Sequence, residues 1–461
     1  MGTPTIAGTH REPTLKRWLT AAVTRLAVWF PPLGQLLVPG GFARNVFLLA
    51  GGTVAGQLLA VATAPLITRL YTPFDFGVQS VFGSLLGVLA TVACLSYEQA
   101  VPLPKEDTEA VNVVGLCLGI LAVLVVLVGI PVVLLPEMIG SWLRVPHVSS
   151  YLWALPLALF VLSGYKVMSY WAIRKGQFAV LARTKVSQGV GQVAVQLGLG
   201  VLRWGPIGLI LGDVVGRSMG GVGLARILAR DATTPLKSVS WARMQEVASR
   251  YRKFPLWSAG SGLLSSSGAL APVFIARIYG AEIAGWVALC TLVVGGPLSL
   301  LSSATADVYF SRSASIGKHD TKKQKQLLWQ LVGRMVLLGS PFVLAMLATA
   351  HWLFPVIFGP QWTRSAAYLV PLAPMYLITA IASPTHPVLT VYERQELHLV
   401  RELLRAPLVL GPLLLAERLS LDPLHGIAWY SAGSSLFYLL SMVAVWWVVR
   451  GGREDASTTE H

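Results

Sequence analysis

The sequence predicts an all-α polytopic membrane protein that crosses the bilayer about twelve times. Hydrophobic residues make up 54% of the 461 residues and charged residues only 12%, which is more apolar surface than a water-soluble domain can bury. Long stretches without Asp, Glu, Lys or Arg recur, among them 110–135, 151–164 and 427–449. Because about 20 helical residues cross the hydrocarbon layer, each stretch spans the bilayer or nearly does so.

These stretches are continuously apolar and lack the alternation of β-barrel strands, so we expect helices. The first six spans lie near residues 45–68, 77–98, 111–135, 150–172, 184–202 and 206–229. The next six lie near residues 255–276, 283–308, 328–357, 366–389, 398–416 and 425–449. The predicted organisation is an N-terminal segment 1–43, a first half 44–229, a linker 230–253, a second half 254–449 and a tail 450–461.

The N-terminal segment is expected to lie at the membrane interface rather than across it. An apolar stripe at helical spacing begins at Leu15 and Trp18 and ends before Pro31, which breaks the helix. A further span within residues 18–39 is the alternative. A cleaved signal is not indicated, because no short apolar core followed by a small-residue cleavage site stands out.

The basic residues predict the orientation, because Lys and Arg are retained on the cytoplasmic side. With both termini inside, about 30 of them fall on the cytoplasmic side. The outer ones are Arg69, Arg144, Arg203, Arg277, Arg364 and Arg418. The formal net charge of +15 then reflects topology and contact with anionic membrane lipids, and no nucleic-acid partner is expected.

An internal repeat links two segments that lie 208 residues apart. Residues 67–71, Ile-Thr-Arg-Leu-Tyr, recur at 275–279 as Ile-Ala-Arg-Ile-Tyr, and a glycine follows six residues after each tyrosine. The paired residues are Arg69 and Arg277, Tyr71 and Tyr279, and Gly77 and Gly285. Each copy ends the first span of its half on the predicted outer side. The two halves therefore form six-helix bundles in the same orientation, and substrates of such folds bind between the halves.

Several motifs at span ends are similar to those of the Wzx-type polysaccharide flippases of the multidrug/oligosaccharidyl-lipid/polysaccharide (MOP) exporter superfamily. They are PLITRLYTPFDFG at 65–77, YEQAVPLP at 97–104, Tyr170-Trp171 with Arg174 and Phe178, Phe254-Pro255, FGPQW at 358–362 and VYERQ at 391–395. The resemblance covers residues 43–449. It implies a MATE-like bundle in the bacterial inner membrane that moves a polyprenyl-pyrophosphate-linked oligosaccharide to the outer leaflet by alternating access. A polysaccharide polymerase and export proteins are the candidate protein partners. No cofactor is expected, and an H⁺ or Na⁺ gradient is the candidate energy source.

A phosphate-bearing sugar needs a polar and preferably cationic path, so polar side chains inside the spans are candidates for the substrate cavity. Gln188, Gln192 and Gln196 are spaced four apart on one face of the fifth span. They either bind sugar hydroxyls or bond neighbouring helices. Asp213 and Arg217 are spaced four apart in the sixth span. They either bind the head group or neutralise each other.

Other candidates lie near the span ends. Glu98 and Asp307 either take part in ion coupling or are solvated carboxylates at the interface. Arg69 and Arg277 either help to release the pyrophosphate or snorkel to the outer interface. A basic group at the cytoplasmic mouth of the fourth and fifth spans either gathers an anionic head group or signals topology. Its members are Lys166, Arg174, Lys175, Arg183 and Lys185.

No catalytic residue or metal site is predicted. Cys94, Cys117 and Cys290 lie in apolar spans without metal-ligand spacing, and no Gly-rich Lys-Ser/Thr loop for nucleotide phosphates is present. An enzyme such as a glycosyltransferase or polymerase would need acid, base or metal groups in large outer loops, and the predicted loops are short. A non-transporting scaffold is a further alternative.

The nearest alternative is a multidrug antiporter of the same superfamily. Such proteins resemble one another in carrying a coupling carboxylate in the first helix. Residues 45–68 of this chain contain no Asp or Glu, which counts against that function.

Overall fold

The computed structural model describes residues 42–231, 238–318 and 320–451. The predicted interfacial helix, the alternative span within 18–39, the tail beyond 451 and part of the linker lie outside the described residues. Within them the chain is helical with short connections and has no β-strand. The all-α membrane class predicted from composition is confirmed.

The first half of the chain contributes six helices. They are α1 Phe42–Leu70, α2 Pro73–Val92, α3 Asp107–Leu134, α4 Ala154–Arg174, α5 Phe178–Val201 and α6 Pro206–Asp231. The linker contains one short helix, α7 Trp241–Arg250. The second half contributes α8 Phe254–Tyr279, α9 Ala281–Ile316, α10 Thr321–Phe358, α11 Pro360–Val391, α12 Gln395–Val409, α13 Gly411–Arg418 and α14 Pro423–Gly451.

Ten helices of the described part are long and apolar enough to cross a membrane. The sequence predicts two further spans, which the structure forms as α5 and as the pair α12–α13. Neither is among these ten helices. Both contain charged residues in their helices, for example Arg183 and Lys185 in α5 and Arg401 and Arg405 in α12. They nevertheless pack inside the bundle, α5 against α1 and α6, and α12 and α13 against α14. Packing therefore identifies α5 as the fifth of the twelve predicted spans and the pair α12–α13 as the eleventh.

The turn between α1 and α2 is fixed by a capping box. The Thr72 backbone N–H donates to Asp75 Oδ2 at 2.7 Å, and the Asp75 backbone N–H donates to Thr72 Oγ1 at 3.3 Å. Pro73 occupies the first helical turn, where it displaces no helical hydrogen bond. The equivalent turn between α8 and α9 uses Gly280 at φ +98°, a conformation that glycine adopts without strain.

Repeat residues 67–77 and 275–285 lie at one end of the bundle, which we call the motif end. The opposite end, the linker end, carries α7, which is anchored to the first half. Tyr97 donates its hydroxyl hydrogen to the Ala248 carbonyl at 3.0 Å, and Arg250 pairs with Glu109 at 2.8 Å. Helices α2 and α9 make the closest packing between the two halves.

The repeat tyrosines pack alike in both halves. The Tyr71 ring lies against Gly208 at the start of α6, and the Tyr279 ring lies against Gly426 at the start of α14. A Cβ at either glycine would overlap the tyrosine hydroxyl group. The last helix of each half is thus held in the same way against the end of the first.

Candidate functional site

A cavity of about 290 Å³ lies in the first half, between α1, α2, α5 and α6. It extends from Ile67 and Phe76 at the motif end toward the middle of the bundle. Ala288 and Leu292 of α9 form the wall contributed by the second half. We call this space the first-half cavity. Its position at the boundary between the halves is where a parallel-repeat transporter holds its substrate.

One wall of the first-half cavity is polar. The Asp213 carboxylate accepts hydrogen bonds from Gln192 Nε2 at 2.5 Å and from Gln79 Nε2 at 3.3 Å. Gln196 also lines the cavity, and its Nε2 donates to the Leu209 carbonyl at 3.3 Å. The backbone carbonyl of Gln196 accepts a hydrogen bond from Tyr71 Oη at 2.7 Å, which connects the repeat motif to this wall. Amides and a carboxylate of this kind can bind sugar hydroxyls.

The three predicted glutamines have different surroundings. Gln192 and Gln196 line the cavity, whereas Gln188 lies nearer the linker end and donates to the Arg217 carbonyl at 3.3 Å. Gln188 and Gln196 thus bond the backbone of the neighbouring helix, and Gln192 bonds a carboxylate. Sequence reasoning missed Gln79, because only the packing of α2 beside α6 brings it to the cavity.

A stripe of glycines on α6 allows this close helix packing. Gly212, Gly216 and Gly220 are spaced four apart and face the glutamines of α5. A Cβ at Gly216 would lie 3.0 Å from Gln192 Cα, which is closer than ordinary packing allows. Small residues at this spacing are typical of tightly packed membrane helices. The spacing is visible in the sequence and could have predicted which helix faces the glutamines.

Asp213 and Arg217 make no direct ion pair among the described residues, and the two predicted roles, mutual neutralisation and head-group binding, both stay predictions. Within the described residues no nitrogen of Arg217 lies within 4.0 Å of the Asp213 carboxylate oxygens, which the two glutamine amides hold instead. The Arg217 Nε is buried and has no hydrogen-bond partner. The four-residue spacing placed both residues on one face, but the side chains of α2 and α5 are the nearer partners of Asp213.

The interpretation of Glu98 as a solvated carboxylate is wrong. Its side chain is buried and pairs with Lys166 Nζ at 2.7 Å, and its second oxygen has no hydrogen-bond partner. The chain reverses after α2 with Ser96 at φ +62°, and this turn folds Glu98 back into the bundle. Asp307 is exposed on α9. Neither carboxylate lines the first-half cavity.

The predicted basic group at the linker end is largely paired with protein. Arg174 Nε and Lys175 Nζ contact the Asp107 carboxylate at 3.0 and 2.5 Å. Arg174 also donates to the carbonyl of Lys105 at 3.2 Å. Lys185 lies 5.0 Å from the centre of the Tyr165 ring, and Arg183 is exposed. These contacts hold the loop before α3 against α4.

The repeat arginines lie at the motif end and contact other helices. Arg69 is exposed, and its Nη2 donates to the Val356 carbonyl of the second half at 3.0 Å. Arg277 approaches Glu417 at 3.5 Å, and the same carboxylate pairs with Arg144 of the first half at 2.9 Å. Both arginines therefore take part in contacts that join the halves.

The motifs at residues 65–77 and 358–362 contact each other at the motif end. The Thr68 carbonyl accepts from Gln361 Nε2 and from Trp362 Nε1, both at 2.9 Å. The Trp362 ring packs edge-on against Phe76 with 4.9 Å between the ring centres. Gly77 and Gly285 allow α2 and α9 to touch through their backbones. We call this set of contacts the motif-end seal.

Solved structures share this fold. An inward-facing multidrug resistance MATE family transporter of the MOP superfamily matches with a TM-score of 0.61 and 15% identity, over 93% of this chain and 99% of that chain. A MOP superfamily transporter from Pyrococcus furiosus matches with a TM-score of 0.58 and 13% identity, over 89% and 95%. A MATE transporter in complex with MaL6 matches with a TM-score of 0.54 and 14% identity, over 89% and 97%. At these identities the likeness shows the fold alone.

No curated protein matches this chain. The polysaccharide biosynthesis protein family matches residues 66–367, which is more than half of the chain and includes the motif-end seal and most of the residues that line the first-half cavity. This match confirms the family resemblance predicted from the helix-end motifs. The chain belongs to the polysaccharide biosynthesis protein family and has the membrane fold of the MATE transporters of the MOP superfamily.

Proposed function

We propose that this protein is a lipid-linked oligosaccharide flippase. It moves polyprenyl-pyrophosphate-linked sugar units to the outer leaflet of the bacterial inner membrane for the synthesis of a surface polysaccharide. The observation that carries this proposal is the polar first-half cavity, which lies at the boundary between two halves that are joined at the motif end. Family membership supports the polysaccharide context, and the fold supports transport.

The sugar is the part of the substrate that the first-half cavity suits. Amide groups of Gln79, Gln192 and Gln196 and the Asp213 carboxylate provide donors and acceptors for hydroxyl groups. A volume of about 290 Å³ is near the lower limit of small-molecule sites, so this state holds only part of an oligosaccharide. The lipid tail stays in the bilayer, where it needs no polar contacts.

Transport requires the motif-end seal to open. With both termini in the cytoplasm, as the basic residues indicate, the motif end faces outward. The sealed state then receives substrate from the cytoplasmic side. Opening breaks the hydrogen bonds to the Thr68 carbonyl and separates α2 from α9 at Gly77 and Gly285. A proton or sodium gradient is the proposed energy source.

A multidrug antiporter is the second candidate function. The observation in its favour is Asp213, a carboxylate at the cavity that is free of an ion pair within the described residues. A carboxylate of this kind can bind a cationic substrate or a coupling proton. The described part of α1 contains no Asp or Glu, so this chain would couple through α6 instead.

Leaflet analysis of a deletion strain tests the proposed function. Deleting the gene should trap the lipid-linked oligosaccharide on the cytoplasmic leaflet, and the wild-type gene should restore surface polysaccharide. Gln192→Ala should fail to restore it, whereas Gln330→Ala, at an exposed glutamine of α10, should succeed. If the intermediate is never made in the deletion strain, the protein acts as an enzyme upstream. If the intermediate still reaches the outer leaflet while drug resistance falls, the antiporter function is favoured.

A further inference from the structure

Helix α12 carries a buried basic cluster that is separate from the first-half cavity. Glu402 is 1% exposed and lies between two arginines whose side chains are 11% and 17% exposed. Arg405 Nε donates to Glu402 Oε2 at 2.8 Å, and Arg405 Nη2 donates to Oε1 at 3.2 Å. Arg401 Nη2 also donates to Glu402 Oε1. Two guanidinium groups thus share one carboxylate, and one positive charge is in excess.

The excess charge lies on donors that have no acceptor. Arg401 Nε and Nη1 are both buried without a hydrogen-bond partner, although Nη2 of the same group is paired. The His386 Nε2 is also buried and has no partner. Leaving buried donors of a charged group unpaired costs more free energy than leaving neutral ones unpaired. A triad that served only to hold α12 in place would leave this cost uncompensated, so the arrangement calls for an acceptor from outside the chain.

Four helices of the second half converge at this cluster. The Arg405 guanidinium lies 4.8 Å from the centre of the Phe437 ring of α14, and His386 of α11 stacks on the adjacent Tyr438 with 6.2 Å between ring centres. A Cβ at Gly268 of α8 would lie 3.7 Å from Arg405 Cδ. The unpaired donors therefore lie in one neighbourhood.

The two halves carry groups of opposite charge on the last two helices of each bundle. In the first half, the second, fifth and sixth helices hold the cavity glutamines and the Asp213 carboxylate. In the second half, the first, fifth and sixth helices are α8, the pair α12–α13, and α14, and they surround Arg401 and Arg405. The first half thus offers groups for uncharged hydroxyls, and the second half offers groups for an anion.

We propose that Arg401 and Arg405, with His386, bind a phosphoryl group such as pyrophosphate. Guanidinium groups donate several planar hydrogen bonds and match the geometry of phosphate oxygens. The proposal rests on the proposed function in one respect, since the pyrophosphate of a lipid-linked sugar is the source it favours. The same chemistry is present in inorganic pyrophosphate and in the head group of an anionic phospholipid.

Equilibrium binding to the purified full-length protein in nanodiscs of neutral lipid tests this site. The probes are inorganic pyrophosphate, polyprenyl phosphate and phosphatidylglycerol. Arg401→Gln should weaken binding of pyrophosphate by about tenfold or more, because it removes charge-assisted hydrogen bonds. Arg312→Gln, at an exposed arginine of α9 in the same half, should change it by less than about threefold.

A second variant guards against loss of folding. Arg401→Lys keeps the charge beside Glu402 and loses the planar donors, so it should weaken binding while its melting temperature stays near that of the wild type. Each variant is first checked for a single symmetric peak in gel filtration. Absence of saturable binding of any phosphoryl probe to the wild type would overturn the site. Equal weakening by Arg401→Gln and Arg312→Gln would do so as well, because it would indicate diffuse charge attraction.

The three probes separate this proposal from the proposed function. Arginine-dependent binding of polyprenyl phosphate supports both. Arginine-dependent binding of pyrophosphate without binding of polyprenyl phosphate supports the phosphoryl site and counts against a lipid-linked substrate. Arginine-dependent binding of phosphatidylglycerol in preference to polyprenyl phosphate supports the site and assigns it to a structural membrane lipid.

Discussion

Replacing Gly77 by alanine is expected to open the motif-end seal. A Cβ at Gly77 would lie 2.6 Å from the Ala281 carbonyl carbon and 3.1 Å from its Cα, where ordinary contacts measure 3.4–4 Å. The obstructing atoms belong to the backbone of α9, so no side chain can rotate away. The nearest atom would be the Ala281 carbonyl oxygen at 1.7 Å, so helices α2 and α9 must separate by roughly 1.5 Å to restore normal contact.

The overlap arises in the structure described here, which is closed at the motif end. Overpacking of a tight contact costs about 1–3 kcal/mol. If that cost falls on the closed state alone, the ratio of open to closed molecules rises by about 5–150-fold. Gly285→Ala should act in the same direction, because its Cβ would lie 2.6 Å from the Pro73 carbonyl carbon.

Cysteine labelling measures this shift. Ala288 lines the first-half cavity on α9, so Ala288→Cys reports whether the cavity opens to the motif end. The experiment uses a background without the buried Cys94, Cys117 and Cys290, and a membrane-impermeant maleimide added on the motif side. Gly77→Ala should label faster than the parent protein.

Gly83→Ala is the matched control for this experiment. It lies on the same helix, and a Cβ there would meet no atom within 4 Å. The two glycine variants should therefore differ in labelling rate while their expression levels agree. Equal rates for Gly77→Ala, Gly83→Ala and the parent protein would refute the idea that the α2–α9 crossing closes the motif end.

Three further changes test other parts of the structure. Arg217→Ala should abolish export of surface polysaccharide without lowering the protein level, because it removes a half-buried guanidinium whose Nε has no hydrogen-bond partner in the described chain. Normal polysaccharide would contradict a role for this residue. Trp362→Phe keeps the aromatic packing and removes the hydrogen-bond donor to the Thr68 carbonyl. It should destabilise the closed state by about 1 kcal/mol and raise the labelling rate of Ala288→Cys several-fold. An unchanged rate would mean that this bond does not hold the seal. Glu98→Gln removes the charged partner of the half-exposed Lys166. It should destabilise the purified protein by about 1 kcal/mol or less, measured as a lower melting temperature. An unchanged melting temperature would show that the ion pair is not stabilising.

Hydropathy predicted most of the fold because a helix that faces lipid must be apolar along its whole length. The same reasoning is weakest for α5 and α12, in which Gln196 and Glu402 are buried against protein. Their positions follow from packing against α6 and α14. For α5 the glutamine spacing compensated for the weak hydropathy signal, since the sequence shows directly which residues share a helix face.

The cavity could be predicted only in part, because spacing identifies neighbours on one helix and not partners on another. Gln192, Gln196 and Asp213 were found from their periodicity, whereas Gln79 depends on the packing of α2 beside α6. Asp213 and Arg217 share a face, yet the amides of other helices hold the carboxylate. These choices depend on distances between helices, which a single sequence does not contain.

The motif-end seal and the α12 cluster show the same limit. The sequence identifies residues 65–77 and 358–362 as motifs, but only the folded chain brings Thr68 and Trp362 together. Charges at 401–405 resemble an ordinary helix end in the sequence. Their burial depends on Phe437 and on the shared Glu402 carboxylate.

Transport by the reconstituted protein is the direct test of flippase activity. The purified protein is placed in proteoliposomes that carry a fluorescent polyprenyl-pyrophosphate-linked oligosaccharide, and the fraction of the sugar accessible to an external quencher is followed over time. We predict protein-dependent movement of the sugar between leaflets that is lost in Gln192→Ala and retained in Gln330→Ala. If the wild-type protein is folded and correctly inserted and the sugar stays in its original leaflet with and without an ion gradient, the account of this protein as a lipid-linked oligosaccharide flippase is contradicted.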